Sequence, residues 1–311
     1  MINPLIKFLR KGIKLIKSPK SLLSKIKNRI QIKLSASNYE DSKGIGDNFI
    51  KREFDLNTPA MVELDSGLKI WGDLGDYAVS RAVMFGTYEP SETKYFKNLI
   101  PQLDDGIIID VGANIGWFTI LFAQSSRDVI AIEPRPNNFY YLQKNIETNQ
   151  LLNVELINSA VSDIEGRGIV FVLPSAGNSG GTHFRSNPST LFTNELIQKG
   201  YEINHVPIRL IDEIVASRKV ALIKIDIEGA EPYALKGALN TLKVSKPIIL
   251  CEINPTCLRD NASMQPEEFL AFMGSINYKG FILNEDGTKG DQIYKEWIFG
   301  KEWKNIIFTC F

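Results

Sequence analysis

Residues 107–117 constrain the chain more than any other stretch: Ile107-Ile-Ile-Asp-Val-Gly-Ala-Asn-Ile-Gly-Trp117. An apolar run closes on an acid, Asp110, a turn of small residues follows from Gly112 to Gly116, and an apolar helical pattern opens at Phe118. Such a pattern is a buried parallel strand, a tight loop and a helix N-terminus. Gly112 and Gly116 carry no side chain, Ala113 carries a small one, and Asn114 tolerates the left-handed region, so the loop backbone can approach a ligand closely. Roughly 20 residues further on, the spacing expected of a dinucleotide-binding unit, the run Val129-Ile-Ala-Ile132 ends at Glu133. A carboxylate there can accept hydrogen bonds from both hydroxyls of a ribose. Loop and acid together predict a site for a nucleotide-like cofactor.

The spacing bears on which cofactor. A nicotinamide dinucleotide wants Gly-x-Gly-x-x-Gly, whose second glycine lets the backbone reach the pyrophosphate. Here the glycines are spaced Gly112-x-x-x-Gly116, with Asn114 where the second should be. S-adenosylmethionine has no pyrophosphate and carries a cationic sulfonium, which suits the acid at Asp110. Glu133 serves either cofactor.

Three blocks resemble the FkbM-type S-adenosylmethionine-dependent methyltransferases. The first is Asp110-Val-Gly-Ala-Asn-Ile-Gly-Trp-Phe118 with Ala131-Ile-Glu-Pro-Arg-Pro-Asn-Asn138. The second is Asn158-Ser-Ala-Val-Ser-Asp163 with Gly166. The third is Ile223-Lys-Ile-Asp-Ile-Glu-Gly-Ala-Glu231, then Leu235-Lys-Gly237 and Pro247-Ile-Ile-Leu-Cys-Glu252. The resemblance covers residues 85–310. It implies a Rossmann-like α/β methyltransferase fold, with a seven-stranded, mostly parallel sheet whose last strand is antiparallel, flanked by helices. It also implies methyl transfer to a hydroxyl, with Ser159, Ala160 and Asp163 as the positions facing the adenine. Acceptors across such families include sugars and other metabolites.

Charge divides the chain. The formal net charge is zero, yet residues 1–39 hold ten Lys or Arg and no acid, leaving 26 basic against 36 acidic residues in the remainder. Ile2, Leu5, Ile6, Leu9, Ile13 and Ile16 recur at helical spacing among Lys7, Arg10, Lys11, Lys14 and Lys17. Residues 1–35 therefore read as a basic amphipathic segment suited to an anionic membrane surface, against the alternatives of a disordered tail or a helix docked on the acidic body. Lysines interrupt any apolar core, so a signal peptide is not expected, and nothing approaches the roughly 18 apolar residues of a membrane span. Three cysteines, Cys251, Cys257 and Cys310, make neither a disulfide framework nor a metal spacing. A cytoplasmic setting follows, peripheral to the inner membrane face if the basic segment binds there. The acidic remainder lacks a basic stripe with interleaved aromatics, so no nucleic-acid partner is expected.

Residues 36–58 are polar and turn-rich and read as a linker. Residues 59–105 are expected to hold a hairpin about Asp65-Ser66-Gly67 and a helix capped by Ser91, and residues 106–311 the methyltransferase domain. Strands are expected near 107–111, 128–133, 154–159, 220–226, 247–253, 279–284 and 304–310. Helices are expected near 117–125, 136–149, 208–217, 230–243 and 266–276. Residues 168–173 and 203–207 suggest an extra hairpin. The Gly- and Ser-rich stretch from Pro174 to Arg185 reads as a substrate-facing lid.

Methyl transfer from a sulfonium is a displacement in which the protein aligns the reactants and takes the acceptor's proton. In open α/β sheets ligands lie outside the carboxyl ends of strands where strand order reverses, so Asp110 and Asp226 should face one crevice. Asp226 and Glu228 should point the same way if the strand continues. Glu231 falls in the first turn of the next helix, and Glu252 ends the next strand. Asp226, Glu228 and His183 are the candidates for the chemistry. Asp226 is also a candidate cofactor contact, and Glu231 and Glu252 are candidates for holding the acceptor. A divalent metal shared by these acids is an alternative, though no metal ligand set is evident. In a purely structural reading Glu231 caps its helix and Glu252 pairs with a lysine. His205 reads as structural, and Trp117 as core or pocket wall.

Overall fold

A computed structural model describes residues 59–64, 66–73, 86–172, 182–294 and 302–311. The basic segment 1–35, the linker 36–58, Asp65, the lid residues 174–181 and Trp297 lie outside the described residues. The expected hairpin is present as a unit by itself. Strands β1 (Pro59–Glu63) and β2 (Lys69–Asp73) pair antiparallel with Val62 opposite Ile70. Gly67 takes a φ of 83° in the turn, a conformation that glycine adopts without strain.

The larger unit begins at Glu89. Helix α1 (Pro90–Leu99) starts with proline in its first turn, where a missing N–H costs nothing. Contrary to the expectation from sequence, Ser91 does not cap it. The N-cap residue is Glu89, and the Ser91 hydroxyl instead donates to the Glu285 carbonyl at 2.7 Å. Strand β3 (Ile107–Val111) is buried along its whole length, and helix α2 (Trp117–Ala123) follows the glycine loop. Phe96 of α1 packs edge-on against Phe118 and Phe122 of α2, with centroids 5.4 and 4.8 Å apart. Trp117 is core: it is buried and its indole N–H donates to Thr93 Oγ1.

Strand β4 (Val129–Ile132), helix α3 (Pro136–Thr148) and strand β5 (Val154–Ile157) complete the first half of the sheet. A second, four-stranded sheet follows in sequence. It is built from β6 (Ala160–Val161), β7 (Gly166–Val172), β8 (His183–Ser186) and β9 (Glu202–Arg209), in the order β6-β9-β7-β8. It contains the hairpin expected from residues 168–173 and 203–207, and adds a strand where a lid was expected. Helix α4 (Thr190–Gln198), capped by the Ser189 hydroxyl, lies between β8 and β9 and was not anticipated from the sequence.

Helix α5 (Ile211–Val215) leads to β10 (Val220–Ile225), buried throughout. The helix expected over 230–243 is two: α6 (Glu231–Lys236) and α7 (Leu239–Ser245). Asp212 explains the break, because its carboxylate accepts from the backbone amides of Asn240 and Thr241 and so caps α7 separately. Strand β11 (Ile248–Ile253), the short α8 (Pro255–Cys257), a π-helical turn Leu258–Ala262 and α9 (Pro266–Ser275) follow. The chain ends in β12 (Tyr278–Leu283), β13 (Lys289–Ile293) and β14 (Lys304–Cys310).

The main sheet has the order β13-β12-β14-β11-β10-β3-β4-β5. All seven expected strands are in it. The eighth, β13, is an added edge strand antiparallel to β12. Its sequence, Lys-Gly-Asp-Gln-Ile, has a half-exposed polar pattern that carries no strong strand signal. From β5 to β11 the pairing is parallel, and β14 runs antiparallel between β11 and β12. Strand order reverses between β3 and β10, as expected. Ile109, Ile130, Ile223 and Ile249 are buried in the core that runs through these strands, the result of nearly continuous apolar strands covered on both faces.

Candidate active site at the carboxyl ends of the strands

The reversal places Asp110 directly opposite Lys224 in register, and the Asp226 amide donates to the Val111 carbonyl. The two acids expected to share a crevice therefore leave the sheet side by side. Gly112 (φ 77°) is required there by the protein itself, because a Cβ would collide with the Asp226 carbonyl oxygen. Gly116 (φ 94°) leaves no room either, since its Cβ would lie 2.7 Å from Leu142 Cδ1. The amides of Gly112 and Ala113 both donate to the Ile132 carbonyl. Asn114 sits in the left-handed region at φ 52°, and its amide donates to Glu133 Oε2 at 2.9 Å. Small residues in this loop thus bring protein backbones together.

Glu133 is buried; its second oxygen accepts from the Arg135 amide at 2.9 Å, and burial pushes its pKa up to about 7. Asp110 is fully buried. One oxygen accepts from Thr119 Oγ1 at 2.6 Å, and burial holds its pKa above the usual carboxylate range. Ser159 is buried just beyond β5, Ala160 begins β6, and Asp163 is exposed and accepts from its neighbour Ser162.

Among the described residues, five buried side-chain polar atoms find no hydrogen-bond partner: Asp110 Oδ1, Asn114 Oδ1, Arg135 Nε, Ser159 Oγ and Glu231 Oε2. Every one lies in, or shortly after, the carboxyl end of β3, β4, β5 or β10. Buried polar groups are ordinarily paired, and each exception asks for an explanation. A polar ligand along this edge supplies one.

The loop after β10 is a second concentration of unusual groups. Lys224 is buried with its ammonium 3.2 Å from Asp226 Oδ2 and 5.2 Å from the Phe118 ring centroid. Burial alone would lower its pKa, but Asp226, Asp110 and Glu89 more than offset that, so it stays cationic. Asp226 and Glu228 do not continue one strand face as expected, because β10 ends at Ile225 and Glu228 takes a φ of 55°. Glu228 is half-buried beside the Cys257 thiol, and burial, then the Asp226 charge, pushes its pKa up to about 7. Glu231 is buried and braces this loop rather than its own helix, accepting from the Ile227 and Gly229 amides at 2.9 and 3.2 Å. Its pKa is raised to about 7 by burial. Among the described residues, Glu252 pairs with no lysine. Burial and the charges of Asp226 and Glu228 push its pKa up to about 10. Across the antiparallel register from Glu252 lies Asn305, whose amide donates to the buried Glu92 of α1. Among the described residues, no three His, Cys, Asp or Glu side chains are set to hold a metal ion.

His183 lies in β8, stacked on Phe171 with centroids 5.5 Å apart, and not in a loop. It is nevertheless near the acidic loop, because Asn261 of the π-helical turn bonds both the Glu228 carbonyl and the His183 ring. His205 is exposed on β9. Asn261, Glu92 and Asn305 were not singled out by sequence. All three reach the site through contacts between distant segments, and Arg-Asp-Asn-Ala looks like an ordinary turn.

An α/β sheet reversing at β3 and β10 has the topology at which α/β folds place their ligands. The methyltransferase FkbM domain model matches residues 110–283, and the chain belongs to that family. Methyltransferase 1 of Beauveria bassiana is 27% identical over 154 residues, covering 45% of this chain and 61% of that protein. The hexuronic acid methyltransferase AglP of Haloferax volcanii is 28% identical over 159 residues, covering 49% and 57%. The chain thus spans about three fifths of the length of these relatives. A methyltransferase FkbM from Methylobacillus flagellatus KT aligns in structure with a TM-score of 0.42 at 19% identity, over 71% of this chain and 48% of that one.

Proposed function

We propose that the chain is an S-adenosylmethionine-dependent O-methyltransferase whose acceptor is a sugar hydroxyl of a glycan or glycolipid. The row of orphaned polar atoms along the carboxyl ends of β3, β4, β5 and β10 carries the cofactor reading. These atoms and the surplus of carboxylates suit a ligand with a cationic centre, an ammonium group, a ribose and an adenine. Asp110 and Asn114 would hold the amino-acid end, Glu133 the ribose, and Ser159 with the Ala160 backbone the adenine. When bound, S-adenosylmethionine supplies a methyl group on a cationic sulfur and departs as a neutral thioether.

Glu228 takes the acceptor's proton as the new carbon–oxygen bond forms. Its raised pKa, about 7, keeps a useful fraction ionised at neutral pH while strengthening it as a base. Asp226, fixed by Lys224, orients the acceptor hydroxyl. Glu252, with a pKa near 10, is protonated at neutral pH and offers the acceptor a hydrogen-bond donor. The sugar acceptor is supported by the hexuronic acid methyltransferase among the relatives. In this reading residues 1–35 bring the enzyme to an anionic membrane at its cytoplasmic face, where lipid-linked glycans would be met.

Calorimetry with S-adenosylhomocysteine and, separately, NAD tests the cofactor. Micromolar binding of the first alone, weakened in Glu133→Ala, supports the reading. Binding of NAD instead, or of neither by the folded protein, overturns it. Labelled methyl transfer to a uronic acid glycoside, against a polyketide alcohol, tests the acceptor class.

A further inference from the structure

One side-chain nitrogen of Asn261 makes two hydrogen bonds. Nδ2 donates to the Glu228 carbonyl oxygen and also lies 3.4 Å from Nδ1 of His183. A carbonyl oxygen can only accept, so the amide must turn its NH2 group toward Glu228. The reversed amide would set two acceptor oxygens against each other. An NH2 group donates and does not accept, so its second hydrogen faces His183 Nδ1, which must offer a lone pair. The neutral ring then carries its proton on Nε2, and Nε2 has no hydrogen-bond partner among the described residues.

We infer that Asn261 fixes His183 in its Nε2–H tautomer, so that this histidine is excluded as the general base of the proposed methyl transfer. The inference deepens the proposed reaction by naming the group that does not take the proton, and Asn261 becomes a positioning residue acting through His183. A base needs an available lone pair. Here one nitrogen is occupied by the amide and the other carries hydrogen. Local structure supports a held arrangement. Asn261 sits in a π-helical turn, a form concentrated at functional sites, and Glu228 is kept at a φ of 55° that non-glycine residues seldom adopt. Ring stacking on Phe171 fixes the imidazole plane. Burial lowers the His183 pKa against the pull of Asp260, so the neutral ring prevails at physiological pH.

Long-range proton–nitrogen NMR on protein labelled at histidine nitrogen reads the tautomer directly. The chain has two histidines, and His183→Gln assigns the signals, with His205 as internal reference. The expected result near pH 7 is His183 unprotonated at Nδ1 and protonated at Nε2. Asn261→Asp offers an acceptor in place of the donor and should switch the ring to Nδ1–H, with titration moved to higher pH. Asn261→Ala should leave a mixture. An Nδ1–H ring in the unmodified protein overturns the inference, as does a tautomer indifferent to both substitutions. The unmodified protein alone decides the first point, so a variant that fails to fold does not rescue the idea. No cofactor or acceptor is present in this experiment, so failure of the methyltransferase reading would not change its outcome.

Discussion

Two loops cross at the centre of the sheet, and they solve different problems. The loop after β3 is made mostly of small residues, and its backbone contacts are internal: Gly112 yields to the Asp226 carbonyl, Gly116 to Leu142, and the Asn114 amide goes to Glu133. The loop after β10 crowds carboxylates about one buried lysine, with Glu228 and, at the start of α6, Glu231 raised to about 7, and Glu252 of the neighbouring β11 raised to about 10. The first loop is a joint between two halves of the sheet. The second is held away from its electrostatic optimum and is where we propose the chemistry, since perturbed carboxylates cluster at functional sites. Glycine in a strand–loop–helix turn therefore need not announce a ligand that touches it.

If the first loop is a joint, damaging it should cost fold before function. Gly112→Ala combines a collision with the Asp226 carbonyl and a φ of 77°, and should destabilise by about 3 kcal/mol or more, read as a lowered midpoint in thermal unfolding. If the second loop is the reactive one, Glu228→Gln should do the reverse. Methyl transfer to a uronic acid glycoside should fall about 100-fold, the usual size of a lost general base. The melting midpoint should hold or rise, because a buried carboxylate is replaced by a neutral amide. A smaller effect is expected of Glu133→Ala, which should weaken S-adenosylhomocysteine binding about tenfold in calorimetry, roughly the loss of one hydrogen-bonded contact to a charged group.

The smallest effect is a pH dependence. Glu133, Glu228, Glu231 and Glu252 all have folded-state pKa values raised above the ordinary 4.5. The folded chain therefore binds more protons than the unfolded one above about pH 4.5, and their contribution to stability is lost as pH rises through 7 and on toward 10. The ligand-free protein should melt at least about 3 °C lower at pH 8 than at pH 5.5, which is near 1 kcal/mol for a domain of this size. Glu252→Gln should flatten that slope; an unchanged slope would show that Glu252 is not part of it.

The fold was largely legible because each parallel strand is a short apolar run ending in an acid or a turn, as at Asp110, Glu133 and Asp226. Elements without such contrast were not. Strand β13 is polar, and α4 follows a Gly-, Ser- and Pro-rich stretch that hides it. The site was legible as residue types and less so as geometry. Asp226 and Glu228 could be named, but their divergence depends on β10 stopping at Ile225, for which the only local cue is the glycine at 229. Asn261 carried no cue, since its importance arises from what the chain folds beside it.

The Gly112–Asp226 interlock also bears on how the crevice comes into being. The segment from β3 to β5 carries the glycine loop and Glu133, yet one wall of the crevice is backbone from beyond β10. Contacts so distant in sequence form late and pay a large loop-closure cost. A chain emerging from synthesis would hold half of the proposed cofactor site with no use for it until β10 docks. Assembly of the pocket and closure of the sheet are then a single event, and no shorter excerpt of the domain should show a weaker version of the same binding.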